Sequence, residues 1–272
     1  MRIGRDVVTL CLSFIYAVSM KQLVLVVFLC WLSCPALDAQ GPDRKPRRTL
    51  AEEEIPGTPA YEKLGEFEVA DSLLAPNVLL FCGQQVNLDP MNRQRKLRRE
   101  LASLSRFSPV LMERAEIFFP IVEPILEEHG VPDDFKYLMA VESGMNPEAR
   151  SPAGALGLWQ FMRETAKEYG LNVSRKIDER LDVEKSTHAA CCYLLDAHSK
   201  FRDWVAVAQS YNIGQNRIGT ELKRQKVDEA IDLELVEETN RYIYRLMAIK
   251  IIFTHPENFG LKEVRYKKLR RR

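Results

Sequence analysis

The chain has 272 residues, 46% of them apolar, enough for one substantial core with appendages. Its 39 basic and 38 acidic side chains nearly cancel, so no global positive field points to nucleic acid. The cysteines form no CxxC pair, and His129, His188, His198 and His255 do not cluster in the sequence, which argues against a zinc site and leaves no cofactor expected.

The N-terminus reads as an export segment. Val7 to Met20 carries no charge, Lys21 follows, and Leu23 to Leu37 is again apolar. Met20-Lys21, then "LVLVVFLCWL", then "PALDAQ" has the order of a signal peptide, with cleavage after Ala39 and Met20 as the true start. The alternative is one uncleaved anchor from Val7 to Leu37, long enough to cross a bilayer. Cys34 in "WLSC" makes a poor lipoprotein box. Residues 1–39 are therefore a signal peptide or membrane anchor, and the remainder is exported. Residues 40–60, rich in proline and charge, form a linker. Residues 61–105 form a small irregular N-terminal extension, in which "NVLLFCGQQVNL" can hold a short strand or an extended stretch packed on the main body. Cys82, Cys191 and Cys192 are odd in number, so no complete disulfide framework exists, and the adjacent pair reads as helix packing residues. The runs "RKPRR" and "RYKKLRRR" are solvated surface or tail, the latter within a basic tail over 262–272, with anionic lipid or wall polymer as alternative partners.

From Met91 onward helical character dominates. "NRQRKLRRELASL" is a charged helix. "SPVLMERAEIFFPIVEPILEEHG" carries apolar Ile117, Ile121 and Ile125 and closes on Gly130, with a kink or break expected at Pro120 and Pro124. "VPDDFKYLMAVES" follows, with Asp133 or Asp134 as N-cap and Phe135, Leu138, Met139 and Glu142 on one face. Further helices are expected at about Met162–Tyr169, Val183–Phe201, Val205–Asn212, Thr220–Ala230 and Thr239–Thr254. Strand-like alternation is scarce. The expected architecture is an all-α domain over 106–261, with a groove made by helix ends and loops.

Glu142 stands where this apolar helical run breaks into "SGMNPEARSPAGALG". Partial burial beside Leu138 and Met139 penalises a charged carboxylate, and the carbonyls of the last helical turn repel it. Both favour the neutral acid, the form that can donate a proton to a glycosidic oxygen.

Four ordered motifs surround it. They are "ES" at Glu142-Ser143, "GLWQ" from Gly157 through Trp159 to Gln160, "QSYNIG" with Tyr211 and Asn212, and "ETNRYIYRLMAIKII" with Tyr242. Over about Phe107 to Leu261 the chain resembles the bacterial lytic transglycosylases with a soluble-transglycosylase, goose-lysozyme-like domain, most closely the membrane-bound lytic transglycosylase D group. It departs from them at Ser210, where alanine is usual, and at Arg163, where proline is common. It also lacks C-terminal peptidoglycan-binding repeats.

The resemblance implies a lysozyme-like helical fold and a peptidoglycan glycan strand as substrate. It also implies a single-acid route. Glu142 protonates the oxygen linking N-acetylmuramic acid to N-acetylglucosamine and then takes the proton of the muramoyl C6 hydroxyl, which closes a 1,6-anhydro ring without water. Tyr211 can orient Glu142 through its phenol. Ser143 can bond the acid or the substrate, or cap the helix. Gln160 can read an acetamido group, and Asn212 can touch sugar or hold its loop. Trp159 is a sugar wall or core. Gly154 and Gly157 let backbone approach the glycan. Rival readings are a hydrolytic goose-type lysozyme, an inactive wall-binding scaffold, and an enzyme dedicated to an envelope machine, with the N-terminal extension as its docking surface.

Overall fold

The structure, a computed structural model, describes residues 77–266. The segment read as signal peptide or anchor, the linker and most of the basic tail lie outside the described residues. Among the described residues no helix is long and apolar enough to cross a membrane.

The described chain opens with a hairpin, β1 (Val78–Phe81) paired antiparallel with β2 (Gln84–Asn87), Val78 opposite Asn87 and Phe81 opposite Gln84. Its two-residue turn, Cys82 and Gly83, has both residues left-handed, the twist a tight hairpin requires. Cys82 is held there because its amide donates to Asp134 Oδ2 at 2.6 Å. Phe81 and Val86 point into the core, while Val78 and Leu80 face outward.

All else is helix and loop, as the expected fold class requires: α1 (Met91–Leu104), α2 (Ser108–His129), α3 (Leu138–Ser143), α4 (Arg163–Glu168), α5 (Val183–Phe201), α6 (Trp204–Ile213), α7 (Gln215–Gln225) and α8 (Glu237–Thr254). Short 3-10 turns occupy Asp133–Tyr137, Glu179–Leu181, Ala230–Asp232 and Pro256–Phe259. The starts of α5 and α6 follow from their caps. Asp182 accepts from Lys185 N–H, and Asp203 accepts from the N–H groups of Val205 and Ala206.

Helix α8 is the axis of the core, with Tyr242, Tyr244, Leu246, Met247, Ile249 and Ile252 all buried. Helix α1 lies along it, and α2 packs on α5. The α1–α8 contact buries charge as well as Leu97 and Leu101. Arg93 reaches Asp232 at 2.5 Å and Glu229 at 2.6 Å, while Glu100, 1% exposed, meets Arg241 at 2.6 Å and Arg245 at 3.3 Å.

Several local expectations are corrected. Helix α2 runs unbroken through Pro120 and Pro124. Both prolines sit on its half-buried outer side, away from Phe118, Phe119 and Val122, so the carbonyls they leave without donors can meet water. The buried face of α2 is Leu111, Ala115, Phe118, Val122 and Ile125, whereas Ile117 is 62% exposed. Neither Asp133 nor Asp134 caps a helix. Asp133 accepts from Lys136, and Asp134 accepts from Cys82 and Lys250. Helix α7 begins five residues before the expected Thr220, at the break made by Gly214 (φ 89°), and ends at left-handed Lys226. Of the paired cysteines Cys191 packs inside, its thiol pushed up to about 12 by burial, while Cys192 is exposed. His129 and His188, far apart in sequence, are joined across α2 and α5, Nε2 to Nδ1 at 2.8 Å.

The buried Glu100 gives the first test. Glu100→Ala leaves Arg241 and Arg245 facing each other without their shared carboxylate, and urea unfolding should show a loss of about 3 kcal/mol. A loss under about 1 kcal/mol would mean the pairing is surface-like.

Candidate active site

Helix α3 is only six residues long and would not persist alone. Its neighbours hold it. Leu138 and Met139 are fully buried, and Glu142 follows one turn later, half-buried. The helix stops at two consecutive left-handed residues, Gly144 (φ 59°) and Met145 (φ 57°). Met145 donates its N–H to Met139 O at 2.9 Å and buries its side chain, folding the chain back. Arg114 on α2 donates to Gly144 O at 2.7 Å. The Ser143 hydroxyl lies 3.0 Å from Met139 O and 2.9 Å from Leu158 O, so it ties the helix end to the glycine-rich loop.

Glu142 opens on a cleft of about 210 Å³, lined also by Gln160, Tyr193, Tyr211 and Asn212, with Phe161 and Met162 as apolar wall and Ser151 and Thr165 as further hydroxyls. Among the described residues lining it, Glu142 is the one acid. The phenol that reaches this acid is Tyr242 on α8, donating to Glu142 Oε1 at 2.5 Å. Burial, then the charge of Glu142, pushes the Tyr242 phenol well above its ordinary range, so it stays a donor. Tyr211, expected to orient the acid, instead donates to Trp159 O at 2.9 Å. Its phenol is raised as well, by burial first and Glu142 second. Asn212 lines the cleft with a buried Oδ1 that has no hydrogen-bond partner among the described residues.

The opposite wall is the loop from Gly144 to Met162, and it is fastened to its own body. Gln160 adopts a left-handed backbone (φ 48°), and its amide donates to Ala149 O and Gly157 O, both at 2.9 Å. Its donors are spent on the loop, which leaves the side-chain oxygen to meet a ligand. Gly157 (φ 82°) is where the loop presses on backbone: an added Cβ would stand 2.1 Å from Arg180 O. The glycine thus serves close approach of the chain to itself. Arg180, 2% exposed, donates to Gly154 O (2.8 Å) and Phe161 O (3.0 Å) and pairs with Asp178 through both Nε and Nη2. Trp159 is fully buried, its indole N–H donating to Thr187 Oγ1 at 2.9 Å, so it is core and no sugar wall.

Residues 121–233 match the family described as Transglycosylase SLT domain. Among curated relatives it is 30% identical over 154 residues to membrane-bound lytic murein transglycosylase D of Escherichia coli (strain K12), covering 55% of this chain and 34% of that one. It is 36% identical over 110 residues to membrane-bound lytic murein transglycosylase F of Shewanella sp. (strain ANA-3), covering 36% and 22%. The chain therefore spans about a third or less of the length of these relatives. The 70 kDa soluble lytic transglycosylase of Escherichia coli aligns at 19% identity and a TM-score of 0.45, covering 63% of this chain and 30% of that one. The matched SLT segment contains Glu142, Gln160, Tyr211 and Asn212; Tyr242 and Arg114 lie outside it.

The sequence reading missed Tyr193, which lines the cleft, and Arg180, which fastens the loop wall behind it. Tyr193 donates to Ser210 O and packs edge-on against Tyr211, with ring centroids 5.1 Å apart. Its one signal is a hydroxyl on the small-residue face of a long helix. Arg180 gives no signal, because "DERLD" reads like any charged loop.

Gly157→Ala should lower stability by more than about 2 kcal/mol in urea unfolding, since it adds a backbone clash to a left-handed strain. Gly154→Ala, where no atom lies within 4 Å of the added carbon, carries the strain alone and should cost about 1 kcal/mol. Equal losses at the two positions would overturn the close-approach account.

Proposed function

We propose that this chain is a lytic murein transglycosylase. It cleaves the β-1,4 bond from N-acetylmuramic acid to N-acetylglucosamine without water and leaves 1,6-anhydromuramic ends. The observation that carries this reading is Glu142: the one acid lining the cleft among the described residues, with the Tyr242 phenol 2.5 Å from its Oε1. The named activities of the relatives, lytic murein transglycosylases D and F, support it.

The chemistry follows from one carboxyl. Two-acid glycosidases need a partner carboxylate about 5–10 Å away. Glu148 and Glu164, the acids nearest in sequence, are both exposed and do not line the cleft. With Oε1 accepting from Tyr242, the transferable proton belongs on Oε2. It passes to the glycosidic oxygen, the N-acetylglucosamine leaves as an alcohol, and the substrate's own 2-acetamido oxygen stabilises the cationic C1. Glu142, now charged and steadied by the Tyr242 hydrogen bond, takes the proton of the C6 hydroxyl as that oxygen bonds C1. The proton count closes, and the acid is restored. Asn212 Oδ1 and the Gln160 oxygen are acceptors for the N–H and O–H groups of a sugar. The substrate lies in the wall, which agrees with the exported chain read from residues 1–39 and with the membrane-bound names of the relatives.

Full-length protein incubated with purified peptidoglycan should release muropeptides lighter by one water than hydrolysed ones, read by mass spectrometry. Products carrying reducing muramic ends would make it a goose-type hydrolase; no release at all would make it a binding scaffold. Glu142→Gln should abolish release while the melting temperature holds. Tyr242→Phe should lower kcat by about ten- to a hundredfold with KM within about twofold, because it removes a bond to a reacting group and not to bound sugar. Since the Tyr242 phenol is raised well above its ordinary range, it does not ionise at moderately alkaline pH, and an alkaline loss of activity in the wild type should persist in Tyr242→Phe.

A further inference from the structure

Helix α1 has two different faces. On a 3.6-residue repeat Met91, Arg95 and Arg99 form one row, with Asn92, Lys96 and Ser103 beside it, and all six are exposed. The opposite face holds Arg93, Leu97, Glu100 and Leu101, all buried against the body. The outer face carries no acid, because Glu100, the helix's one carboxylate, is turned inward to Arg241 and Arg245.

Little else neutralises the outer row. Arg95 and Arg106 have no carboxylate partner among the described residues. Arg99 is met by Glu237 at 3.5 Å, where both side chains are more than half exposed and the pair is worth little. Lys96 lies 5.4 Å over the Tyr244 ring and keeps its charge. Two large apolar side chains are exposed along this stretch, Met91 (68%) at the start of the row and Phe107 (63%) in the turn that follows the helix. Each of these would gain by leaving water.

We propose that this face docks on an anionic phospholipid surface, with Arg95, Lys96, Arg99 and Arg106 at the headgroups and Met91 and Phe107 at the acyl boundary. Basic side chains beside exposed apolar ones are the composition that binds in the plane of a membrane. A wall polymer fits less well. The outer face of a helix is convex, and a hydrated glycan strand offers nothing apolar to cover Met91 or Phe107. The proposal is independent of what the cleft catalyses.

The test uses the full chain incorporated into vesicles of phosphatidylcholine alone or of phosphatidylcholine with phosphatidylglycerol. Acetylation of Lys96 is followed by mass spectrometry, with exposed Lys223 on α7 as internal reference. On anionic vesicles Lys96 labelling should slow by roughly tenfold relative to neutral ones, and high salt should reverse the effect. In the triple variant Arg95→Gln, Arg99→Gln, Phe107→Ser the two lipids should give equal rates. Equal labelling of wild-type Lys96 on both lipids overturns the proposal, as does shielding that survives in the variant. Shielding by solubilised peptidoglycan without vesicles overturns it in favour of the wall. The wild-type comparison needs no variant and stands even where the substitutions disturb folding.

Discussion

A carboxyl at the end of a six-residue helix has no rigidity of its own, and the organisation of this molecule answers that problem. The hydrogen bond from Tyr242 to Glu142 joins the six-residue α3 to α8, the axis of the core. Arg114 closes the same helix end from α2, and Ser143 ties it to the glycine-rich loop. Three separate elements thus converge on one turn. The carboxyl thereby inherits the rigidity of the whole core, which is what holding a side chain in one fixed geometry requires.

For α8 to serve as that anchor, it must itself be fixed. The inward-turned charges of α1 do this alongside its leucines: Glu100 takes two arginines from α8, and Arg93 takes two carboxylates from the turn just before it. The segment read in the sequence as an irregular extension contains, from residue 77 on, a hairpin and a helix that share the core with the rest, through Phe81, Val86, Leu97 and Leu101.

Features set by local chemistry were legible in the sequence. The bounds Val183–Phe201 follow from Asp182 as cap and an uninterrupted apolar face, whereas only one short strand was expected where the chain makes a two-stranded hairpin about Cys82 and Gly83. Glu142 was legible because its helix face and the following glycines are both local. What was hidden depends on distant partners. That Tyr242 and not Tyr211 reaches the acid is decided by how α8 and α6 pack, and both are tyrosines in apolar helices. The burial of Trp159 depends on Thr187, and the meeting of His129 with His188 on the α2–α5 contact. The unbroken α2 was misread because proline signals a break only where the orphaned carbonyl is denied water. The earlier start of α7 is set by the backbone break at Gly214 and by buried Ile218, which lie before the expected Thr220.

The Arg180 clamp has a bearing on how the molecule tolerates acid. A guanidinium keeps its charge at every pH a protein meets, and its hydrogen bond and charge hold the Asp178 carboxyl below the usual carboxylate range. A carboxyl lowered in the folded state lends stability above its unfolded value and surrenders it only as pH falls through the lowered one. The fastening of the loop wall therefore outlasts mild acidification. The groove thus keeps its form over a range of pH in which ordinary carboxylates are already gaining protons.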